Sequence, residues 1–82
     1  MSISRDELSK IFGKIEFVDS FGDYKVEVVD SFADMDVEMV SNFADSEGKW
    51  EKVDNFGDFK IEIVDNFGDF KIKYVDNFPQ VN

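Results

Sequence analysis

Lys-Ile-Glu-Ile-Val-Asp-Asn-Phe-Gly-Asp-Phe, residues 60–70, is one copy of an 11-residue unit that recurs six times in this 82-residue chain. The copies span residues 14–24, 25–35, 36–48, 49–59, 60–70 and 71–81, and the third is two residues longer than the others. Self-similarity at a fixed period is the sequence signature of a repeat architecture, so this unit decides the fold. We number its positions from 1 (Lys60) to 11 (Phe70).

Each unit is predicted to be one short strand followed by a tight bend. Apolar and charged residues alternate with period two over residues 59–63, which is typical of a strand. Residues 65–69 combine Asp, Asn and Gly, the residues of turns, with Gly68 available for a positive φ. An 11-residue period also fits a right-handed helical coiled coil, but glycine recurs along the array and costs about 1 kcal/mol relative to alanine inside a helix.

Two apolar positions never vary among the six units, and we expect them to form the core. Position 5 is always valine and position 8 is always phenylalanine, which predicts that the bends fold inward over a shared interior. Phe12 and Trp50 are expected to join this core. The twelve predicted core residues are Val18, Val29, Val40, Val53, Val64, Val75, Phe21, Phe32, Phe43, Phe56, Phe67 and Phe78.

Residues 1–13 precede the array and are predicted to cap it with a short helix. Ser4 and Glu7 have the spacing of a capping box, so a helix over residues 5–12 should follow, with Gly13 as its left-handed C-cap. This segment has no apolar run of the length of a signal peptide or membrane helix, and a cytoplasmic protein is expected. Residues 14–82 form the remaining β part of a single domain.

The composition excludes several classes of function. With no cysteine and no histidine, the chain has no disulfide, no Cys/His zinc site and no thiol or imidazole catalyst. Nine basic and nineteen acidic residues give a net charge of −10, which disfavours nucleic acid and anionic membranes and favours a basic protein partner. A monomer is favoured.

The acidic bends are the only candidates for chemistry. Two carboxylates and an amide within five residues supply the oxygen ligands that Ca²⁺ takes, so weak Ca²⁺ sites are the alternative interpretation of the bends. Structural bends are favoured, because Asp and Asn side chains bond the local backbone in turns. The candidate metal ligands are Asp54, Asn55, Asp58, Asp65, Asn66 and Asp69.

No catalytic residue, cofactor or enzyme activity is predicted, since acids at equivalent positions do not single out a pair with an unusual pKa. The acids beside Lys14, Lys25, Lys49, Lys60 and Lys71 are expected to form an outer lattice of Lys and Glu, and Lys73 and Pro79 are interpreted as edge and terminus residues.

The array resembles a known family over residues 14–81. Gly-Lys-Trp-Glu-Lys-Val at residues 48–53, followed by two Gly-Asp-Phe-Lys-Ile segments at 57–61 and 68–72, is similar to the septoil-knot family of small bacterial proteins of unknown function. The resemblance implies a chain tied in a seven-crossing knot, with six strands in a pseudo-two-fold double spiral and a turnaround near residues 44–49. From the residues alone, a β-solenoid, a six-strand meander or a small barrel remain alternatives.

The favoured function is a small acidic structural or interaction protein without a catalytic site. Two alternatives remain open at this point: a Ca²⁺-dependent binding module that uses the bends, and an acidic decoy or immunity-type inhibitor of a basic partner.

Overall fold

One short helix and seven strands make up the chain in a computed structural model that describes residues 3–82. Strands β1 to β6 each begin in or just before one unit, and β7 follows the last bend. The elements are α1 Arg5–Ser9, β1 Gly13–Val18, β2 Tyr24–Val28, β3 Met35–Val40, β4 Lys49–Val53, β5 Phe59–Ile63, β6 Phe70–Tyr74 and β7 Gln80–Val81. The prediction of a mainly β chain with a short N-terminal helix is confirmed.

Strands β1 to β6 close into a parallel barrel in the order β4-β1-β5-β2-β6-β3, which the pairing of β3 with β4 completes. Strand β7 is added to β3 in antiparallel orientation. The chain makes one circuit through β1, β2 and β3, shifts by one strand across residues 41–48, and fills the gaps in a second circuit through β4, β5 and β6. This interleaved, closed arrangement is neither a meander nor a solenoid.

The same stagger of two residues recurs between all neighbouring strands of the barrel. Position 2 of one unit therefore lies opposite position 11 of another, as in the pairs Ile15 with Phe59 and Val26 with Phe70. A constant stagger tilts the strands relative to the barrel axis, which closure of a sheet requires. The six units are consequently in equivalent environments around the barrel, apart from the connection between β3 and β4.

Opposite charges face each other across every strand interface on the outside of the barrel, because the stagger places position 1 opposite position 3. Five pairs have lysine at position 1, and the sixth pair, Asp36 with Lys73, has the charges exchanged. This register places lysine and glutamate opposite each other, as expected for an outer lattice of Lys and Glu. Cross-strand pairs of opposite charge stabilise a sheet. The five are Lys14–Glu51, Lys60–Glu16, Lys25–Glu62, Lys71–Glu27 and Lys49–Glu38. The interpretation of Lys73 as an edge residue is wrong, since β6 is paired on both sides.

The interior of the barrel is filled by position 2 of the repeat. All six side chains at this position are completely buried: Ile15, Val26, Val37, Trp50, Ile61 and Ile72. Position 11 contributes the buried Met35 and Phe70, with Tyr24 and Phe59 packed against them. The buried side chains within residues 3–82 are all hydrophobic.

The predicted core positions 5 and 8 are wrong, although Trp50 is confirmed. The six valines are only half-buried, Phe12 is partly buried, and the six phenylalanines are 78–96% exposed. Side chains alternate between the two faces of a strand, so an inward position 2 places position 5 on the other face. Position 8 lies beyond the strand, in a bend that passes outside the barrel rather than over its core.

The N-terminal segment closes against the barrel interior. Ser4 Oγ accepts a hydrogen bond from the Glu7 N–H (3.1 Å), as predicted for the N-cap, but the helix ends at Ser9 with Lys10 as its C-cap, and Gly13 (φ 112°) begins β1 instead. Leu8 and Ile11 are buried, and Trp50 Nε1 donates to the Ile11 carbonyl (2.8 Å). Residues 1–2 of the predicted capping segment lie outside the described residues.

The helix is also tied to β2 by a hydrogen bond from the Tyr24 hydroxyl to Glu7 Oε2 (2.8 Å). Desolvation and this bond raise the pKa of Tyr24 to about 12. No helix within the described residues has the length and apolar character that crossing a membrane requires.

Candidate functional site: the phenylalanine bends

Six exposed tripeptides, which we call the Phe bends, project from the barrel at repeat positions 6 to 8. Every residue in them is exposed. Their sequences combine an acid or serine, a serine or asparagine, and then phenylalanine. The Phe bends are residues 19–21, 30–32, 41–43, 54–56, 65–67 and 76–78.

Each phenylalanine of the Phe bends adopts a left-handed backbone conformation. Their φ angles lie between 57° and 58°, and the side chains are exposed by 96% at Phe21 and by 78% at Phe43. The left-handed region costs a residue with a side chain about 1–2 kcal/mol, and a bulky residue there is a genuine outlier. The prediction that Gly68 supplies the positive φ is wrong, because Phe67 supplies it.

In four of the six units within residues 3–82, the residues after the phenylalanine fasten the bend to a strand of the other half of the chain. The Asp69 N–H donates to the carbonyl of Lys25, and the Lys25 N–H donates back to Asp69 Oδ2 (2.8 Å). We call this reciprocal pair the aspartate clamp. It occurs four times, as Asp69 with Lys25, Asp58 with Lys14, Asp23 with Lys60, and Asp34 with Lys71.

In three units position 9 is a glycine that lies at a close crossing of bend over strand, namely Gly22, Gly57 and Gly68. A Cβ on Gly57 would lie 2.8 Å from the backbone nitrogen of Glu16, in the strand beneath. In the equivalent crossing, the Gly68 N–H donates to Glu27 Oε2 (3.0 Å). Positions 3, 9 and 10 therefore hold the bend against the barrel. The contacts that fix the bend are made by these positions, and none of them needs a phenylalanine at position 8.

The structure places the six candidate metal ligands in two separate bends. Asp54, Asn55 and Asp58 lie in one bend, Asp65, Asn66 and Asp69 in the next, and all six are exposed. The carboxylates of Asp58 and Asp69 accept backbone N–H groups in aspartate clamps. Across residues 3–82, no three acidic side chains come together in a group that could hold a metal ion.

None of the charged side chains within residues 3–82 is buried. An open, polar cleft beside the helix is lined by Arg5, Asp6, Ser9, Glu47 and Val81. Its Glu47 carboxylate accepts the Val81 N–H (2.8 Å) and so serves to hold β7.

Comparison with known families agrees with the interleaved circuits of the barrel. The sequence matches the 7(1) septoil knot domain over residues 8–82. This chain belongs to the septoil-knot family. Its fold is accordingly the knotted septoil fold, in which the second circuit of strands is laid between the strands of the first. A comparison with curated proteins gave no match.

Proposed function

We propose that this septoil-knot protein is an interaction protein whose Phe bends anchor a basic protein partner. The observation that carries the proposal is the exposure of six phenylalanine side chains, each in a left-handed conformation that disfavours it. Strained residues that persist in a fold point to function rather than to stability. Because these rings bury almost nothing within their own chain, the fold gains little from them.

Large exposed aromatic groups are the usual anchors of protein interfaces. Aromatic residues that enter pockets of a partner supply much of the binding energy in such interfaces, and exposed apolar patches mark interaction sites. The backbone of a phenylalanine in a fastened bend is already ordered before binding, so little backbone entropy is lost on association. The aspartate clamps supply this rigidity at four of the six bends.

The chemistry around each ring favours a basic partner. Five of the six Phe bends begin with an aspartate, namely Asp19, Asp30, Asp54, Asp65 and Asp76, and the whole chain carries a charge of −10. An apolar pocket rimmed by lysine or arginine would complement a phenyl ring flanked by carboxylates. Nucleic acid and anionic lipid surfaces would be repelled by the same charge.

The proposal assigns binding and no catalysis, in agreement with the lack of a buried carboxylate within residues 3–82. We further propose a monomer in the cytoplasm. The net charge opposes self-association, and a chain without cysteine gains nothing from an oxidising compartment.

The test compares proteins captured from an extract of the native host by the immobilised wild-type chain and by a variant with all six Phe bends changed from Phe to Asn. Asparagine tolerates the left-handed region and leaves the charge unchanged, so the variant should fold. We expect a basic protein to bind the wild type, to be released by salt, and to be lost with the variant.

The matched control changes the neighbouring exposed residues of the same bends to alanine. Its substitutions are Ser20→Ala, Ser31→Ala, Asn42→Ala, Asn55→Ala, Asn66→Ala and Asn77→Ala. This control should retain the captured protein. Identical capture by the wild type and the Phe→Asn variant would contradict the proposed function.

A further inference from the structure

The six strands of the barrel place equal repeat positions at equal heights along its axis. All six strands are parallel, and every interface between them has the same stagger of two residues. Because the barrel closes after six equal steps, a rotation about its axis relates each strand to its neighbour. The six Phe bends therefore follow the same end of the barrel, where the strands finish.

The side chains at position 4 form the last inward-facing layer before this end. They share a strand face with the buried position 2, which lies two residues earlier. Each also lies directly opposite a position 2 residue across a strand interface, as Phe17 does with Ile61 and Val28 with Ile72. We call this set the mouth layer, and its six residues are Phe17, Val28, Met39, Lys52, Ile63 and Tyr74.

The mouth layer is apolar and open to solvent. Four of its members are 39–44% exposed, whereas all six side chains at position 2 are completely buried. Phe17 packs inward on Trp50, with 6.4 Å between the ring centroids. The five apolar members lie on the adjacent strands β1, β5, β2, β6 and β3, and Lys52 on β4 completes the circle. Contiguous exposed apolar surface marks interaction sites. The four exposed members are Val28, Met39, Ile63 and Tyr74.

The other end of the barrel is closed by the N-terminal segment. Leu8 and Ile11 are buried in the core, and the hydroxyl of Tyr24, at the start of β2, donates to Glu7 of α1. Within residues 3–82, α1 is the only helix, so the end where the strands finish has no equivalent plug. The apolar interior is therefore accessible from the end that the Phe bends follow.

The charge at the open end favours a basic occupant. Each Phe bend begins two residues after a mouth-layer residue, and five of the six begin with an aspartate. These five carboxylates outnumber the single cation of the mouth layer, Lys52. They would repel a second copy of this chain that approached with the same end, and they would also repel anionic lipid. An apolar segment flanked by lysine or arginine complements the surface.

We infer that one copy of the basic partner docks across this end of the barrel, with an apolar segment seated on the mouth layer and basic residues beside the Phe bends. This inference rests on the proposed function and adds the contact at its centre. An apolar core inside a polar rim is the usual arrangement of a protein interface. Because the barrel has one open end, one partner is expected per chain.

The probe is a short amphipathic helical peptide of leucine and lysine, and its control is a peptide of the same charge with serine in place of leucine. Calorimetric titration gives the number of peptides bound per chain. We expect one leucine peptide per chain and weaker binding of the serine peptide. In methyl NMR spectra the signal of Met39, in the mouth layer, should shift, whereas that of Met35, which is completely buried, should shift much less.

Matched variants are available at position 4, because Lys52 shows that the barrel accepts a lysine there. Ile63→Lys should weaken binding of the leucine peptide about tenfold. Glu62→Gln changes the net charge equally on the outer face and should have a smaller effect. Lys52→Ile completes the apolar layer and should tighten binding more than Lys60→Gln, which removes the same charge from the outer face. Folding is checked by the shift dispersion of the Trp50 indole N–H, which is buried in the core.

The outcomes separate this inference from the proposed function. If changing the six bend phenylalanines to asparagine abolishes peptide binding while Ile63→Lys binds as the wild type does, the inference is overturned and the proposed function stands. Two or more leucine peptides per chain, or equal affinity for the serine peptide, would also overturn the inference. So would dimerisation of the free chain that Ile63→Lys abolishes, in favour of a second copy as the occupant. Absence of leucine-peptide binding by the wild type would overturn both.

Discussion

Phe67 and Phe70 lie three residues apart in one repeat and differ in the exposure of their side chains. Phe70 ends the bend, begins β6 and is 2% exposed in the barrel core, whereas Phe67 is 92% exposed with a left-handed backbone. The same hydrophobic side chain stabilises the fold at one position and is presented to solvent at the other. The contrast shows that the position within the repeat, and not the residue type, decides whether a phenylalanine lies in the core or on the surface.

The largest effect is expected in the interior, at Ile61. Ile61→Ala removes a fully buried side chain and leaves a cavity, so the free energy of unfolding should fall by about 2–5 kcal/mol in denaturant titrations. Ile63→Ala, at a side chain of the same strand that is 44% exposed, is the matched control and should cost less than half as much. Equal losses at the two positions would contradict the division into interior and surface.

The crossing of bend over strand is tested next, at Gly57. Gly57→Ala places a Cβ 2.8 Å from the Glu16 backbone nitrogen and should destabilise the protein by about 1–3 kcal/mol. The control is Ala33→Gly at the same repeat position. Because glycine loses more backbone freedom on folding than alanine, the free energy of unfolding should fall by only about 0.5–1 kcal/mol. A Gly57→Ala variant as stable as the wild type would show that the bend does not lie so close to the strand.

The aspartate clamp should have a smaller effect because it is near solvent. Asp69→Ala removes the acceptor of the Lys25 N–H, and a loss of about 0.5–1.5 kcal/mol is expected from thermal unfolding. Asp65→Ala removes the same charge from the same bend without touching the clamp, and should stay within about 0.5 kcal/mol of the wild type. If both variants behave alike, charge and not the clamp is responsible.

The smallest effect, and the only gain, is expected at Phe67. Phe67→Gly relieves about 1–2 kcal/mol of left-handed strain, offset by about 0.5–1 kcal/mol of backbone entropy, so stability should rise by about 0–1.5 kcal/mol. Phe67→Ala keeps the strain and should be close to neutral. A loss of 2 kcal/mol or more, on the order of a buried side chain, would give Phe67 a structural role.

Much of the fold could be predicted from the repeat itself. The alternation in residues 59–63 specified strands, the six units specified the six strands of the barrel but not β7, and the lysines and glutamates of the repeat specified an outer surface. Strand order could not be read from these local signals, because every interface of the barrel except that of β3 with β4 joins strands that are not consecutive in the sequence. The knot could be predicted only through the resemblance of residues 14–81 to a family.

Invariance within the repeat does not mark the interior of this protein. Position 8 is always phenylalanine, whereas the true core position varies between isoleucine, valine and Trp50. A packed core accepts apolar residues of different size as long as the total volume is kept. Two features of the sequence indicate an exposed ring. Position 2 varies as a core position does, and Phe67 lies between Asn66 and Gly68, which are residues typical of turns.

The exposure of the Phe bends can be measured directly by the relaxation that a neutral, soluble gadolinium chelate induces in phenylalanine ring protons. The chain has ten phenylalanines, of which six lie in the Phe bends. We predict strong enhancement for the rings of these six and weak enhancement for Phe70, with Phe12, Phe17 and Phe59 between them. Protection of the bend rings to the level of Phe70 would place them inside the protein and contradict the account.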